Sequence, residues 1–98
     1  MTATTRHRFT AADVERTGRS ADDDGDLYRV QLPDGIGTVF VSDRTAETLG
    51  DRLDAAFLTR RLNKFVALVG AGEALGCLEG HRRDAPVELA PDGTVDAA

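Results

Sequence analysis

The sequence predicts a small α+β domain, and three observations carry that prediction. Two β-rich runs flank a Pro-Asp-Gly turn at 33–35, apolar residues recur at helical spacing between Ala46 and Phe57, and a second Pro-Asp-Gly turn follows at 91–93. A chain of 98 residues is long enough for one hydrophobic core and short for two domains.

Residues 1–98 are therefore expected to form a single small domain, with both ends (1–8 and 96–98) frayed. The expected order of elements is an N-terminal helix, a β-hairpin, two central helices, and a C-terminal hairpin or strand. Each element has its own signal in the sequence.

Cap residues predict the N-terminal helix. Thr10 is a suitable N-cap, Asp13 lies three residues further on, and Val14 can pack back against Phe9. We expect this helix to end near Gly18 and to be followed by a charged loop over 18–26.

The β-hairpin follows from alternation around a turn. The runs 27–32 and 37–42 are rich in β-branched and aromatic residues, and the segment 33–35 has turn chemistry. We expect the two runs to pair as antiparallel strands. Tyr28, Val30 and Leu32 would share one face of the first strand, and Val39 and Val41 one face of its partner.

The central helices follow from periodic apolar residues. Ser42 or Asp43 is the expected N-cap of a helix that reaches about Leu62, with Asn63 as its break. Its apolar face is expected to hold Ala46, Leu49, Leu53, Ala56 and Phe57. At the C-terminus, VELAPDGTV repeats the pattern of VQLPDGIGTV, which favours a second hairpin or edge strand.

The stretch FVALVGAGEALG, residues 65–76, has two interpretations. VALVGAG resembles the first strand and turn of Rossmann-type dinucleotide-binding proteins and of ubiquitin-activating-type enzymes, with Gly70, Gly72 and Gly76 as the phosphate-binding glycines. In that resemblance Glu88 stands near the place of the ribose-binding acid. The spacing here is G-x-G-x-x-x-G, however, and only ten residues follow Glu88.

A packing helix is the preferred interpretation, so no cofactor is expected. In it Phe65, Leu68, Val69, Gly72 and Leu75 share one face. Gly72, Gly76 and Gly80 form a ridge of small residues that would let another element approach closely. Monomer and homodimer both stay open.

No metal-binding or catalytic residue is expected. Asp22, Asp24 and Asp26 have the spacing of an EF-hand loop, but Leu27 and Pro33 stand where that loop needs glycine and a bidentate glutamate. The pair Cys77 and His81 supplies only two zinc ligands. Ser20 and Ser42 lie in a loop and at a cap, outside any nucleophile context.

Residues 35–50, GIGTVFVSDRTAETLG, look like the strand-to-helix segment of AbrB-type swapped-hairpin DNA-binding domains. The resemblance implies a DNA-binding transcriptional regulator. That family expects a Gly-Asp turn and another strand next, whereas Asp51 here leads into more helix-forming sequence.

The charge and composition of the chain bear on its expected partner and source. The net charge of −5 disfavours nucleic acid as a partner without forbidding it, since Arg60, Arg61 and Lys64 form a local basic cluster. Eleven of the twelve bases are Arg, which is typical of a GC-rich prokaryotic genome.

The longest apolar run is shorter than the ~18 residues of a membrane span, and the N-terminus lacks a signal-peptide core, so a cytoplasmic location is expected. We expect a non-enzymatic binding or regulatory module that contacts an unknown protein partner, with a loosely AbrB-like DNA-binding regulator as the alternative.

Overall fold

A computed structural model describes residues 8–33, 35–79 and 87–97. They form a mixed α+β domain in which one β-sheet is covered on one face by helices. Five strands are paired in the order of the chain: β1 (Val14–Arg19), β2 (Gly25–Leu32), β3 (Gly35–Ser42), β4 (Val87–Leu89) and β5 (Val95–Ala97). The three helices, α1 (Asp43–Leu49), α2 (Ala55–Val69) and α3 (Ala71–Leu78), all lie between β3 and β4 in the chain.

The sheet is antiparallel except at its centre. Strand β3 pairs with β4 in parallel, through Val39 opposite Val87, because the helices carry the chain back to the starting end of the sheet. The first hairpin is confirmed: β2 and β3 pair from Leu32 opposite Gly35 to Gly25 opposite Ser42. Each strand begins two residues earlier than predicted, at Gly25 and at Gly35, and ends at the predicted residue. Asp34 of the turn lies outside the described residues.

The predicted N-terminal helix is wrong. Asp13 does accept a hydrogen bond from the Thr10 amide at 2.8 Å, but the helix is only the 3-10 turn Ala11–Asp13. Val14 begins β1, which pairs with β2 and has an irregularity between Arg16 and Gly18. Pairing with a long strand outweighs a single capping interaction because each added residue of ladder brings backbone hydrogen bonds.

The central helices also differ in their limits. The predicted helix from residue 43 to 62 is interrupted at Gly50, which has φ 55°, and restarts after the N-cap Asp54. Asn63 does not break the helix. Its side chain instead accepts from the Phe9 amide at 2.7 Å and donates to the Phe9 carbonyl at 3.1 Å, so it fastens the N-terminal segment to α2.

The core lies between the sheet and the helices. The residues predicted to share a face within each strand of the hairpin are all buried: Tyr28, Val30 and Leu32 in β2, and Val39 and Val41 in β3. The helices contribute the buried residues Leu49, Phe57, Leu58, Leu62, Phe65, Val66, Ala74 and Leu78. The opposite sheet face carries Ile36, which is 53% exposed.

Gly37 lets α3 approach the sheet. A Cβ at Gly37 would stand 2.7 Å from the Leu78 carbonyl oxygen and 2.9 Å from the Leu78 Cβ. The glycine is therefore required by close packing between β3 and the end of α3. The residues 1–7, 80–86 and 98, which include the predicted linker and part of the predicted frayed ends, lie outside the described residues. Asp96 and Ala97 belong to β5.

Candidate protein-binding surface

Helix α2 is the cationic element of an acidic chain. It carries Arg60, Arg61 and Lys64, and all seventeen acidic residues lie outside its sequence, AAFLTRRLNKFVALV. The three cations, the α2 basic cluster, are thus concentrated within five positions. On a chain of net charge −5, such a segment produces a local field of opposite sign.

The sequence fixes both the start and the rotation of α2. The Asp54 carboxylate accepts from the Phe57 amide at 2.8 Å and so satisfies one of the free amides of the first turn. Leu58, Leu62, Phe65 and Val66 recur at helical spacing and are buried against the sheet. Fixing that face inward leaves Lys64 and Leu68 outward, with Leu68 75% exposed.

Two arginines of the cluster stack on Phe57. The guanidinium carbon of Arg61 is 5.0 Å from the ring centroid, and that of Arg60 is 5.9 Å from it. Cation–π contact restrains both side chains while it leaves their N–H donors available. The stacked arginines therefore present preorganised donors.

A groove separates α2 from the tip of the β4–β5 hairpin. Its helical wall consists of Arg61, Lys64, Phe65 and Leu68, and its other wall is the segment 93–95. We call this feature the α2 groove. It encloses about 40 Å³ and is open to solvent, so it can receive the tip of one apolar side chain.

The hairpin wall is rigid because its turn is internally bonded. Gly93 has φ 88° and donates its amide to Ala90, and Ala90 donates to Thr94 at 2.7 Å. The Asp92 carboxylate accepts from both the amide and the hydroxyl of Thr94. These bonds, with a smaller contribution from nearby Arg61, lower the pKa of Asp92, so its carboxylate stays charged at neutral pH.

The cations of the α2 basic cluster have no carboxylate partner. Within the described part of the chain, ion pairs involve Arg16, Arg19 and Arg29, and none involves Arg60, Arg61 or Lys64. In these described residues the cluster is therefore held by the Phe57 ring and by the longer-range attraction between Arg61 and Asp92, and not by a direct ion pair. Beside them lies Leu68, an exposed apolar side chain on the same helix face.

The dinucleotide interpretation of residues 65–76 is wrong. Phe65–Val69 is the last part of α2 and not a strand, and Gly70, with φ 92°, ends that helix before α3 begins. The preferred interpretation, a packing helix, is wrong about which residues share one face. Phe65 is buried, whereas Leu68, Val69 and Gly72 are exposed. Leu68 lies outside the buried stripe of α2, and Gly72 belongs to α3, which begins after the break at Gly70.

Arg19 forms ion pairs with aspartates in and around the acidic loop before β2. Arg19 contacts Asp23 at 2.8 Å, Asp26 at 3.2 Å and Asp43 at 2.6 Å, and Asp24 accepts from the Ser20 hydroxyl. The Arg19 guanidinium thus pairs with Asp26, one of the three aspartates that have the EF-hand spacing. Its hydrogen bonds lower the pKa of Asp43, and bonds from Arg16 and then Arg19 lower the pKa of Asp26.

The remaining residues that the sequence singled out are Cys77, His81 and Glu88. Cys77 is half-buried, and its predicted companion His81 lies outside the described residues. Among the residues that the structure describes, no three His, Cys, Asp or Glu side chains come together as a metal site. Glu88, which the dinucleotide resemblance places near the ribose-binding acid, lies on β4.

None of the helices in the described ranges combines the length and apolar character that crossing a bilayer requires. No protein-family model, curated protein or solved structure matches this chain. The sequence alone indicated the basic cluster, but it placed Leu68 on the buried face.

Proposed function

We propose that this domain is a non-enzymatic binding module that contacts a protein partner through the α2 groove and the α2 basic cluster. One observation carries the proposal. Among the described residues the three cations form no ion pair, and two of them, Arg61 and Lys64, line the same groove as the exposed Leu68, on a chain whose net charge is −5. The opposite side of α2 packs in the core through Leu58, Leu62 and Val66, which fixes the position of the surface.

The physical basis is the composition of protein interfaces. Their energetic centres combine an apolar anchor with arginine or aromatic residues, and a polar rim surrounds them. Leu68 supplies the anchor, and Arg61 and Lys64 supply the rim. Charged rims also raise the association rate, and salt then weakens that gain.

DNA binding is the alternative that the basic cluster favours. Residues 35–50 form β3 and α1, the strand and helix that the AbrB-type resemblance implies, but α2 follows where that family expects a strand. Three phosphate contacts would give a log–log salt slope of about −2.7 in an electrophoretic shift assay. A steep slope with micromolar affinity would favour DNA over a protein partner.

The test of the proposal is affinity capture from the native host with matched variants. The tagged parent is compared with the double variant Lys64→Glu/Leu68→Ser and with Arg44→Glu. Arg44 is an exposed cation on α1, outside the groove, so its variant repeats the charge change of Lys64→Glu elsewhere. We expect a partner that the parent and Arg44→Glu retain and the double variant loses.

Two results would contradict the proposal. Retention of the same proteins by all three baits would show that the α2 groove is not the binding surface. Equal loss in Arg44→Glu and in the double variant would show that only net charge matters. The melting temperature of each variant controls for folding, because both groove positions are exposed.

Location and oligomeric state complete the proposal. We propose that the module acts in the cytoplasm. A homodimer through Gly72 and Gly76 of α3 is a second proposal, and sedimentation of the parent and of Gly76→Leu tests it. A parent that is monomeric at high micromolar concentration would exclude the dimer.

A further inference from the structure

We propose that the partner segment in the α2 groove is an acidic peptide with one apolar anchor, in which the carboxylates meet Arg61 and Lys64 and the anchor packs beside Leu68. This inference rests on the proposed function, because it names the chemistry of the partner at the same surface. It adds a class of ligand and an arrangement of its groups.

Charge complementarity identifies the sign of the partner. The residues 55–72 contain three cations and no acid, while the rest of the chain carries all seventeen carboxylates. A cationic or neutral segment would gain nothing from Lys64, and the acidic surroundings would repel a segment whose negative charge extends beyond the groove. A short segment with a few carboxylates suits a small positive area on a negative body.

The geometry identifies the arrangement of its groups. Arg61, Lys64 and Leu68 are spaced three and four residues apart, so they share one helix face. Seven residues of helix separate the first from the last, which corresponds to about 10 Å along the axis. Carboxylates at one end of the segment and an apolar side chain about 10 Å away therefore match this face.

The groove limits the size of the anchor. Its volume is about 40 Å³, between Phe65 and Leu68 on the helix and Gly93–Val95 on the hairpin. By the volume that one water needs, this corresponds to about three waters, or the tip of one apolar side chain. Burial of that tip against Leu68 removes apolar surface of both partners from water.

Nucleic acid satisfies these features less well. Phosphates would use the cations but would leave Leu68 without a contact, and a duplex would bring further negative charge onto the acidic remainder of the domain. The apolar residue therefore decides between the two classes of partner.

The experiment uses a random twelve-residue peptide library displayed on phage and the full chain as bait. Selection is run in parallel on the parent, on Lys64→Glu, on Leu68→Ser and on Arg44→Glu. We expect the parent and Arg44→Glu to enrich peptides with more Asp and Glu than the starting library and with a Leu, Ile, Val or Phe. A synthesised peptide should bind Lys64→Glu and Leu68→Ser about tenfold more weakly, the loss of one good interface contact.

The outcomes separate this inference from the proposed function. Peptides that depend on Leu68 but show no excess of acids would overturn the acidic partner and leave the proposed surface intact. Peptides that bind the parent and both groove variants equally, or no enrichment at all, would overturn both. The selected peptide is also competed with a 20-base-pair DNA at a salt concentration of about 0.15 M. If the DNA displaces it, the proposed acidic peptide is overturned in favour of nucleic acid.

Discussion

Arg19 and the α2 basic cluster are surface cations of the same acidic protein, but their surroundings differ. Arg19 donates to three aspartates and to the Asp23 carbonyl, and it joins the β1–β2 connection to the start of α1. In the part of the chain that the structure describes, Arg61 and Lys64 contact no carboxylate, and Arg61 stacks on Phe57 instead.

The difference indicates which charges belong to the fold. A cation that satisfies several carboxylates of its own chain fixes local geometry, and its removal leaves those carboxylates facing each other. A cation with no such partner can be removed without that cost. The comparison thus separates a structural region from a surface available to a partner, and each of the following substitutions tests one side of it.

The largest expected effect concerns the two faces of α2. Leu62→Ala removes a fully buried side chain and should lower the free energy of unfolding by about 2–5 kcal/mol. Leu68→Ala is the matched control on the same helix, and at 75% exposure it should change stability by less than about 0.5 kcal/mol. Urea unfolding followed by circular dichroism measures both, and a loss above about 1 kcal/mol for Leu68→Ala would contradict a free outer face.

The next effect concerns the packing that holds the helices on the sheet. Gly37→Ala would place a methyl group 2.7 Å from the backbone oxygen of Leu78, so strand or helix must shift, at a cost of about 1–3 kcal/mol. Gly35→Ala is its control in the same strand, because a Cβ there has no neighbour within 4 Å. Equal melting temperatures for the two variants would contradict the close contact between β3 and α3.

The third effect tests the structural cation. Arg19 keeps the pKa of Asp43 below its usual value and helps to keep that of Asp26 low, so the ionised carboxylates stabilise the fold above an unfolded pKa of about 3.9. That stabilisation is lost as the pH falls through the lower, folded values. Arg19→Gln should therefore lower the melting temperature by a few degrees at pH 7.

The difference between parent and Arg19→Gln should shrink as the pH falls below about 4. Because these groups are largely exposed, salt should reduce it as well. The measurement is the melting temperature of both proteins from pH 2 to pH 8, in steps of about one pH unit. A difference that stays constant over that whole range would show that Arg19 acts through packing and not through the aspartates.

The smallest expected effect is that of Lys64→Gln on stability. Lys64 is exposed and lies in no ion pair of the described residues, so its free energy of unfolding should change by less than about 0.5 kcal/mol. The same thermal melt measures it. A loss as large as that of Arg19→Gln would remove the distinction between the two kinds of cation.

Local signals predicted the local structures. The hairpin of β2 and β3 followed from alternation around a turn, and the Ser42 cap follows the same logic, with its hydroxyl accepting from the Thr45 amide at 3.2 Å. Both depend on residues close together in the sequence. The α2 basic cluster was visible for the same reason, because its three residues lie within five consecutive positions.

Long-range contacts decided what the sequence could not. Val14 begins a strand because β2 lies beside it, and Asn63 continues a helix because its amide group is bonded to the backbone of Phe9. The exposure of Leu68 depends on which residues of α2 meet the sheet. None of these partners can be read from the residues around the position concerned.

The parallel pairing of β3 with β4 has a consequence for the order of folding. It is only two register pairs long, and it joins strands that all three helices separate in the chain. Contacts of such high sequence separation close late, and a short ladder opens early by local unfolding. The β4–β5 hairpin brings one wall of the α2 groove, so a bound partner would also hold the hairpin closed and slow hydrogen exchange at the amides of β4.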